Sequence, residues 1–215
     1  RDSSEAAKKY FDLGVDAVVA NLPSYYPLTD EHMLKYYERL ADDVPGPLFI
    51  YNITKTTHMS IPLEVVDKLS RHPNIVGLKD SEKNEERFEK AIAMWKDRED
   101  FSHLTGSAVL SSWALSLGSD GIVPSTANFA PAPYRELYEA GTSGNQEKTQ
   151  QLQEKTNALS KIYQEGRNLS QSLAALKVIL SEMGLCGTSV LPPLVEASDQ
   201  EKADIKEKMK AAGLL

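Results

Sequence analysis

From residue 16 to about residue 124, short apolar runs alternate with amphipathic segments, the pattern left by repeated strand–helix units whose helices cover a parallel sheet. The runs predict five strands, over residues 16–22, 47–53, 74–79, 101–106 and 120–124. Between them, Thr29-Asp30-Glu31 opens a helix to Leu40, Ser60-Ile61-Pro62 opens one to Ser70, and Ser81 begins the approach to one ending at Trp95. Small polar caps and a first-turn proline satisfy or avoid the orphan N–H groups of a helix start. After Pro131 the strand pattern stops, and helices are expected over 133–140, 145–164, 170–183 and 198–212. In the third of these, Leu173, Leu176, Ile179, Leu180 and Met183 recur at helical spacing, an apolar face suited to core or subunit packing.

Two of the predicted strands end in polar side chains that matter chemically. Lys79 closes the run Ile75-Val76-Gly77-Leu78, and Tyr51 is the first polar side chain of Pro47-Leu48-Phe49-Ile50. If the strands are parallel neighbours, both residues emerge at the same carboxyl end. An amine at the mouth of a sheet loses hydration and gives up its proton more readily, leaving the free nucleophile that imine chemistry on a ketone requires. A lone strand-end lysine usually snorkels to water. The phenol expected beside it is what favours a chemical role.

Composition excludes other classes. The 215 residues are 41% hydrophobic and 26% charged, with a net charge of −7 and a pI near 5.2. No Lys/Arg cluster offsets that acidity, so neither nucleic acid nor an anionic membrane is expected as a partner. Cys186 stands alone, and His32, His58, His72 and His103 are scattered, each read as a surface or turn residue. No metal site and no cofactor are expected. No apolar stretch reaches the roughly 20 residues of a membrane span, and the first residues are charged, so a cytoplasmic protein is the simplest reading. Five strands do not close an eight-stranded barrel, which takes about 250 residues. The chain is expected to be incomplete at its amino end.

Several motifs occur in order: Pro23-Ser24-Tyr25-Tyr26-Pro27, Tyr51-Asn52, Gly77-Leu78-Lys79-Asp80, Gly121-Ile122-Val123 and Ser125-Thr126-Ala127-Asn128 followed by Pro131. With them the chain resembles the dihydrodipicolinate synthase / N-acetylneuraminate lyase superfamily of Schiff-base aldolases. The resemblance implies an α/β fold, a (β/α)8 TIM barrel of which about strands four to eight are present, followed by a C-terminal helical extension. Residues 1–143 would be the partial barrel carrying Tyr51 and Lys79, and residues 144–215 the helical region. It further implies that Lys79 forms the imine, that Tyr51 moves protons, and that Ser81, Gly106, Val123 and Ser125 line the pocket. Tyr25 resembles a tyrosine that family dimers send towards a neighbouring active site, with an exposed loop aromatic as the equal alternative. A homo-oligomer, tetramer or dimer, is implied, with a 2-oxo acid such as pyruvate as the small-molecule partner.

Departures from the family narrow the substrate. The synthases carry an arginine five positions past the tyrosine to grip a second carboxylate; here that position is Thr56, with Lys55 beside it. After Gly106, where neuraminate lyases carry an acidic pair, stand Ser107, Ala108 and Val109. The segment Gly77 to Ser81 looks closer to aldolases of 2-keto-3-deoxy sugar acids. Lysine-imine cleavage or condensation of a 2-oxo acid is therefore expected. The alternatives are condensation of pyruvate with aspartate semialdehyde, N-acetylneuraminate cleavage, and a non-catalytic homologue or inactive fragment.

Overall fold

The computed structural model describes residues 2–215; residue 1, which the expected 1–143 region includes, lies outside them. The chain forms two compact units, Arg1–Pro124 and Ser125–Leu215. In the second unit the helix Pro131–Thr142 (α7) packs against the helix that follows it, Gln146–Gln164 (α8).

In the first unit, β1 (Val18–Asn21), β2 (Leu48–Asn52), β3 (Ile75–Asp80), β4 (Ser102–Thr105) and β5 (Gly121–Ile122) form one sheet in sequence order. Every neighbouring pair is parallel. The connections are helical: α1 (Asp2–Asp12) precedes β1, α2 (Asp30–Asp43) follows it, and α3 (Thr54–Thr57) with α4 (Leu63–Leu69) follows β2. After β3 comes α5 (Glu85–Trp95), and after β4 a 3-10 turn leads into α6 (Ser111–Leu117). Leu48, Ile50, Ile75 and Leu78 point to one side of the sheet and are buried with Tyr37, Leu40, Val66, Leu69 and Trp95 of the helices. Tyr37 satisfies its buried hydroxyl by donating to the Ala20 carbonyl at 3.0 Å.

The expected strands are present, though β5 keeps only two residues of the expected 120–124. The helix ends differ for local reasons. Thr29 caps α2 as expected, its oxygen accepting from the His32 N–H, but the helix runs on past Leu40 to Asp43. Ser81 is loop, and it is Asn84 that caps α5 by accepting from Arg87 N–H. Both α3 and α6 are short, of four and seven residues, and gave no periodic signal. A groove of about 360 Å³ runs along β1 between Ala6 and Tyr10 of α1 and Tyr36 and Leu40 of α2; neither Tyr51 nor Lys79 lines it.

The second unit is helical. A 3-10 turn over Ser125–Asn128 leads into α7, α8, α9 (Leu169–Glu182) and α10 (Asp199–Ala211). Reciprocal capping boxes, Asn168 with Gln171 and Ser198 with Glu201, fix the starts of the last two. Leu176 and Ile179 of the expected stripe are buried, but Leu173 is 41% exposed and Ala174, Ala175 and Val178 take the inward positions. Leu180 and Met183 pack against the same core, so the inward face is wider than the expected one, with Leu173 alone of the stripe outside it, and α9 packs on both α8 and α10. Among the described residues, no helix is long and apolar enough to cross a membrane.

Candidate active site

The parallel register sets Tyr51 opposite Lys79 and Asn52 opposite Asp80. Strand alternation sends the first pair to one face of the sheet and the second to the other. On the first face, Lys79 Nζ lies over the Tyr51 ring, 4.1 Å from its centroid, a cation–π distance. Ser81 reaches the same place, its Oγ donating to Tyr51 Oη at 3.4 Å. Two residues before this pair, the Phe49 ring covers Gly77. A Cβ on Gly77 would lie 2.3 Å from that ring and 2.5 Å from the Ser102 carbonyl oxygen, so only glycine fits there.

Asn52 and Asp80 anchor a buried polar cluster behind Tyr51 and Lys79. Asn52 Nδ2 donates to Asp80 Oδ1 at 2.9 Å and to Glu82 Oε2 at 3.0 Å, while its Oδ1 accepts from the Ile61 N–H at 3.1 Å. Arg87 Nε donates to Asp80 Oδ2 at 2.7 Å and lies 3.7 Å from Glu82 Oε2. Ser60 Oγ donates to Glu82 Oε2 at 2.6 Å. Burial pushes the Asp80 carboxyl above its ordinary range, against the pull of Arg87 and of the donors Glu82 N–H and Asn52. For Glu82, burial acts in the same direction, but Ser60, Asn52 and Arg87 together outweigh it and leave the carboxyl below its ordinary value.

The other expected site residues fall in several places. Gly106 lies beneath Ser81: its N–H donates to the Asp80 carbonyl at 2.6 Å, and a Cβ there would stand 2.1 Å from Ser81 Oγ. Val123 is 39% exposed, its N–H continuing the ladder to the Thr105 carbonyl at 2.8 Å. Lys55 and Thr56 are exposed on α3, and the Thr56 hydroxyl turns back to the Ile53 carbonyl at 3.3 Å. Tyr25 is 85% exposed, edge-on to Tyr26 with ring centroids 4.7 Å apart. Ser125 belongs to the second unit, where its Oγ shares a hydrogen bond of 2.7 Å with Tyr163 Oη.

Sequence reasoning assigned no role to Asn52, Glu82 or Arg87. Arg87 did leave a signal, for it shares the inward positions of α5 with Phe88, Ala91, Ile92 and Trp95, where an unpaired cation is not tolerated. His103 is a correction. Expected at a surface or turn, it is buried between Phe88 and Ser119, and burial pushes its imidazole down to about 4, against the pull of Asp120. The strand alternation that aims Leu104 with Lys79 necessarily turns His103 to the helix side. Among the described residues, no group of three or more His, Cys, Asp or Glu side chains is placed to hold a metal ion.

An amine stacked on a phenol, with a hydroxyl on that phenol, is a set of groups for addition to a carbonyl and for moving the protons that follow. The model of the dihydrodipicolinate synthetase family matches residues 1–212. The chain belongs to this family. A 4-hydroxy-tetrahydrodipicolinate synthase of Alkalilimnicola ehrlichii is 30% identical over 203 residues, which span 94% of this chain and 67% of that protein. Among solved structures, the dihydrodipicolinate synthase of Bacteroides thetaiotaomicron superposes with a TM-score of 0.89 at 31% identity, covering 97% of this chain and 70% of that one. CdNal of Clostridium difficile, solved in complex with mannosamine, gives a TM-score of 0.85 at 26% identity, covering 97% and 70%. Dihydrodipicolinate synthetase family membership makes the chain one of the class I carbon–carbon lyases, and its parallel α/β sheet is that of the family's TIM-barrel structures.

Proposed function

We propose that this chain carries the imine centre of a lyase that cleaves a 2-oxo acid, or in reverse condenses pyruvate with an aldehyde. The observation that supports this most is the placement of Lys79 Nζ 4.1 Å above the Tyr51 ring, with Ser81 Oγ on the phenol. In this reading Lys79 attacks the keto carbon and the carbonyl oxygen takes a proton, giving a carbinolamine. Tyr51 protonates the hydroxyl, which leaves as water; the resulting phenolate takes the proton of the hydroxyl on the departing carbon, which leaves as an aldehyde while the iminium accepts the electron pair of the breaking carbon–carbon bond. The enamine is then protonated, and hydrolysis returns the amine. Ser81, through its hydrogen bond to Tyr51, and Gly106, by leaving room for Ser81, shape the place where this happens.

The five parallel strands are read as about strands four to eight of a (β/α)8 barrel, a reading supported by the 70% of the Bacteroides synthase that the chain covers. Residues 1–143 would be its barrel part and 144–215 its helical region. Val123 and Ser125 are retained as pocket-lining candidates, and a cytoplasmic homo-oligomer, dimer or tetramer, as the assembly, with Tyr25 as an exposed aromatic available for it.

For the substrate, 2-keto-3-deoxy sugar acids are favoured over a partner that brings a second carboxylate, such as aspartate semialdehyde. Thr56 turns its hydroxyl to its own backbone, leaving Lys55 as the nearest cation in sequence to the position where the synthases carry arginine. The synthase reaction is the second reading, favoured by the name of the Alkalilimnicola relative. Turnover on a panel of 2-keto-3-deoxy sugar acids, against pyruvate plus aspartate semialdehyde, decides between them. Faster turnover of the sugar acids is expected, abolished in Lys79→Ala; activity with the semialdehyde alone would overturn the substrate choice.

A further inference from the structure

Asn52 and Asp80 directly follow Tyr51 and Lys79, and the register places them opposite each other behind the reactive pair. We infer that Asn52 is the positioning residue that holds the Lys79 amine over the Tyr51 ring, through its buried hydrogen bonds to Asp80 and Glu82. The inference rests on the imine reading above.

The hydrogen-bond polarity leaves Asn52 one orientation. Its two amide hydrogens meet two carboxylates and its oxygen meets the Ile61 N–H, so a flipped amide would set an oxygen against both acids. This one side chain, fully buried, therefore ties three segments: the end of β2 that carries Tyr51, the end of β3 that carries Lys79, and the segment after α3. The backbone completes the clamp. Ser81 N–H donates to the Asn52 carbonyl at 2.9 Å, and Glu82 N–H to Asp80 Oδ1 at 2.9 Å. Ser81 is thus pinned on both sides while its hydroxyl meets Tyr51.

Burying Asp80 and Arg87 at the end of a sheet is no better for stability than packed apolar side chains would be. What the charged pair supplies in exchange is directional contact at the one place where the first polar face of the sheet must hold two reacting groups in register. The side chain of Arg87 is 9% exposed and that of Asp80 0%, and Arg87 Nη2 is buried without a hydrogen-bond partner.

The experiment compares the wild type, Asn52→Ala and Asn52→Asp by two measurements. In the NMR spectrum, the Lys79 methylene protons next to Nζ, assigned with Lys79→Arg, carry an upfield ring-current shift from Tyr51 in the wild type. In borohydride trapping with pyruvate, the limiting rate and the half-saturating concentration are read separately. Asn52→Ala is expected to lose the ring-current shift and to lower the limiting trapping rate by about 10²-fold, the cost of misplacing a reacting group by about 1 Å. The half-saturating concentration stays within about twofold. Asn52→Asp keeps the shape but adds a third carboxylate, so its ring-current shift is absent at neutral pH and returns in part on acidification, when the new carboxyl takes a proton and its single O–H donates to one of the two acids. A side chain that served only stability would leave the folded fraction of each variant with wild-type shift and limiting rate, and that result overturns the inference. If the wild type traps no 2-oxo acid, the imine reading fails by itself, and the ring-current comparison still decides whether Asn52 positions the pair.

Discussion

Replacing Asp80 with asparagine alters the buried cluster by one charge and almost no volume, so its cost can be worked from the contacts. In the wild type, Oδ1 accepts from Asn52 Nδ2 and Glu82 N–H, and Oδ2 accepts from Arg87 Nε at 2.7 Å. An amide has one oxygen. If it faces Asn52 and Glu82, its NH2 group meets the guanidinium; if it faces Arg87, its NH2 group meets two donors. Either orientation leaves a donor–donor contact in a site where both ion-pair side chains are 9% exposed or less. Breaking a buried pair by removing one partner costs about 3–5 kcal/mol. Glu82 Oε2, 3.7 Å from Arg87 Nε, takes up part of the stranded charge and puts the expectation at the lower end, about 3 kcal/mol. At an m-value of about 2 kcal/mol/M, the urea midpoint falls by about 1.5 M, read through the fluorescence of Trp95 and Trp113. Arg87→Met is the informative companion. It leaves the Asp80 carboxyl, already raised by burial, without its cation, so the loss grows as pH rises through that carboxyl's titration and shrinks in acid, where the group is neutral. An Asp80→Asn midpoint within about 0.3 M of wild type, or an Arg87→Met loss independent of pH, would refute the view that the cluster is held by a charged pair.

Other substitutions test other parts of the site. Gly106→Ala places a methyl 2.1 Å from Ser81 Oγ, an overpacking expected to cost about 1–3 kcal/mol in urea unfolding, part of which Ser81→Gly recovers in the double variant. Tyr51→Phe keeps the ring under Lys79 but removes the hydroxyl, and trapping with pyruvate is expected to slow by about 10²-fold or more with unchanged stability. His103, ordinarily near 6.5, is held neutral down to about 4. Above pH 6.5 both folded and unfolded chains leave it neutral; between 6.5 and 4 only the unfolded chain takes the proton, so stability falls with pH by about 3 kcal/mol, at 1.36 kcal/mol per pH unit, and levels off below. Urea midpoints at pH 7 and pH 4.5 should differ less in His103→Gln than in wild type.

The sheet was legible because buried parallel strands leave continuous apolar runs, and Leu48 to Ile50 and Ile75 to Leu78 are such runs. The meeting of Tyr51 with Lys79 followed from one further assumption, that neighbours in sequence order are neighbours in the sheet, which the order β1 to β5 obeys. What escaped is what depends on contacts between distant segments. Nothing local to Asn52 says that Asp80, Glu82 and Ile61 will surround it, and the four-residue α3 is too short to show a period. His103 was misjudged because a histidine between Ser102 and Leu104 reads as polar, whereas alternation alone decides that it faces Phe88 and Ser119.

The central claim is that the amine of Lys79 meets a carbonyl carbon beside the Tyr51 phenol. Incubation with pyruvate and borohydride, followed by proteolysis and mass mapping, tests it most directly. A single reduced pyruvyl adduct on the peptide containing Lys79, absent in Lys79→Ala, is the predicted result. An unmodified Lys79 peptide, or label spread over the exposed lysines, would contradict the account.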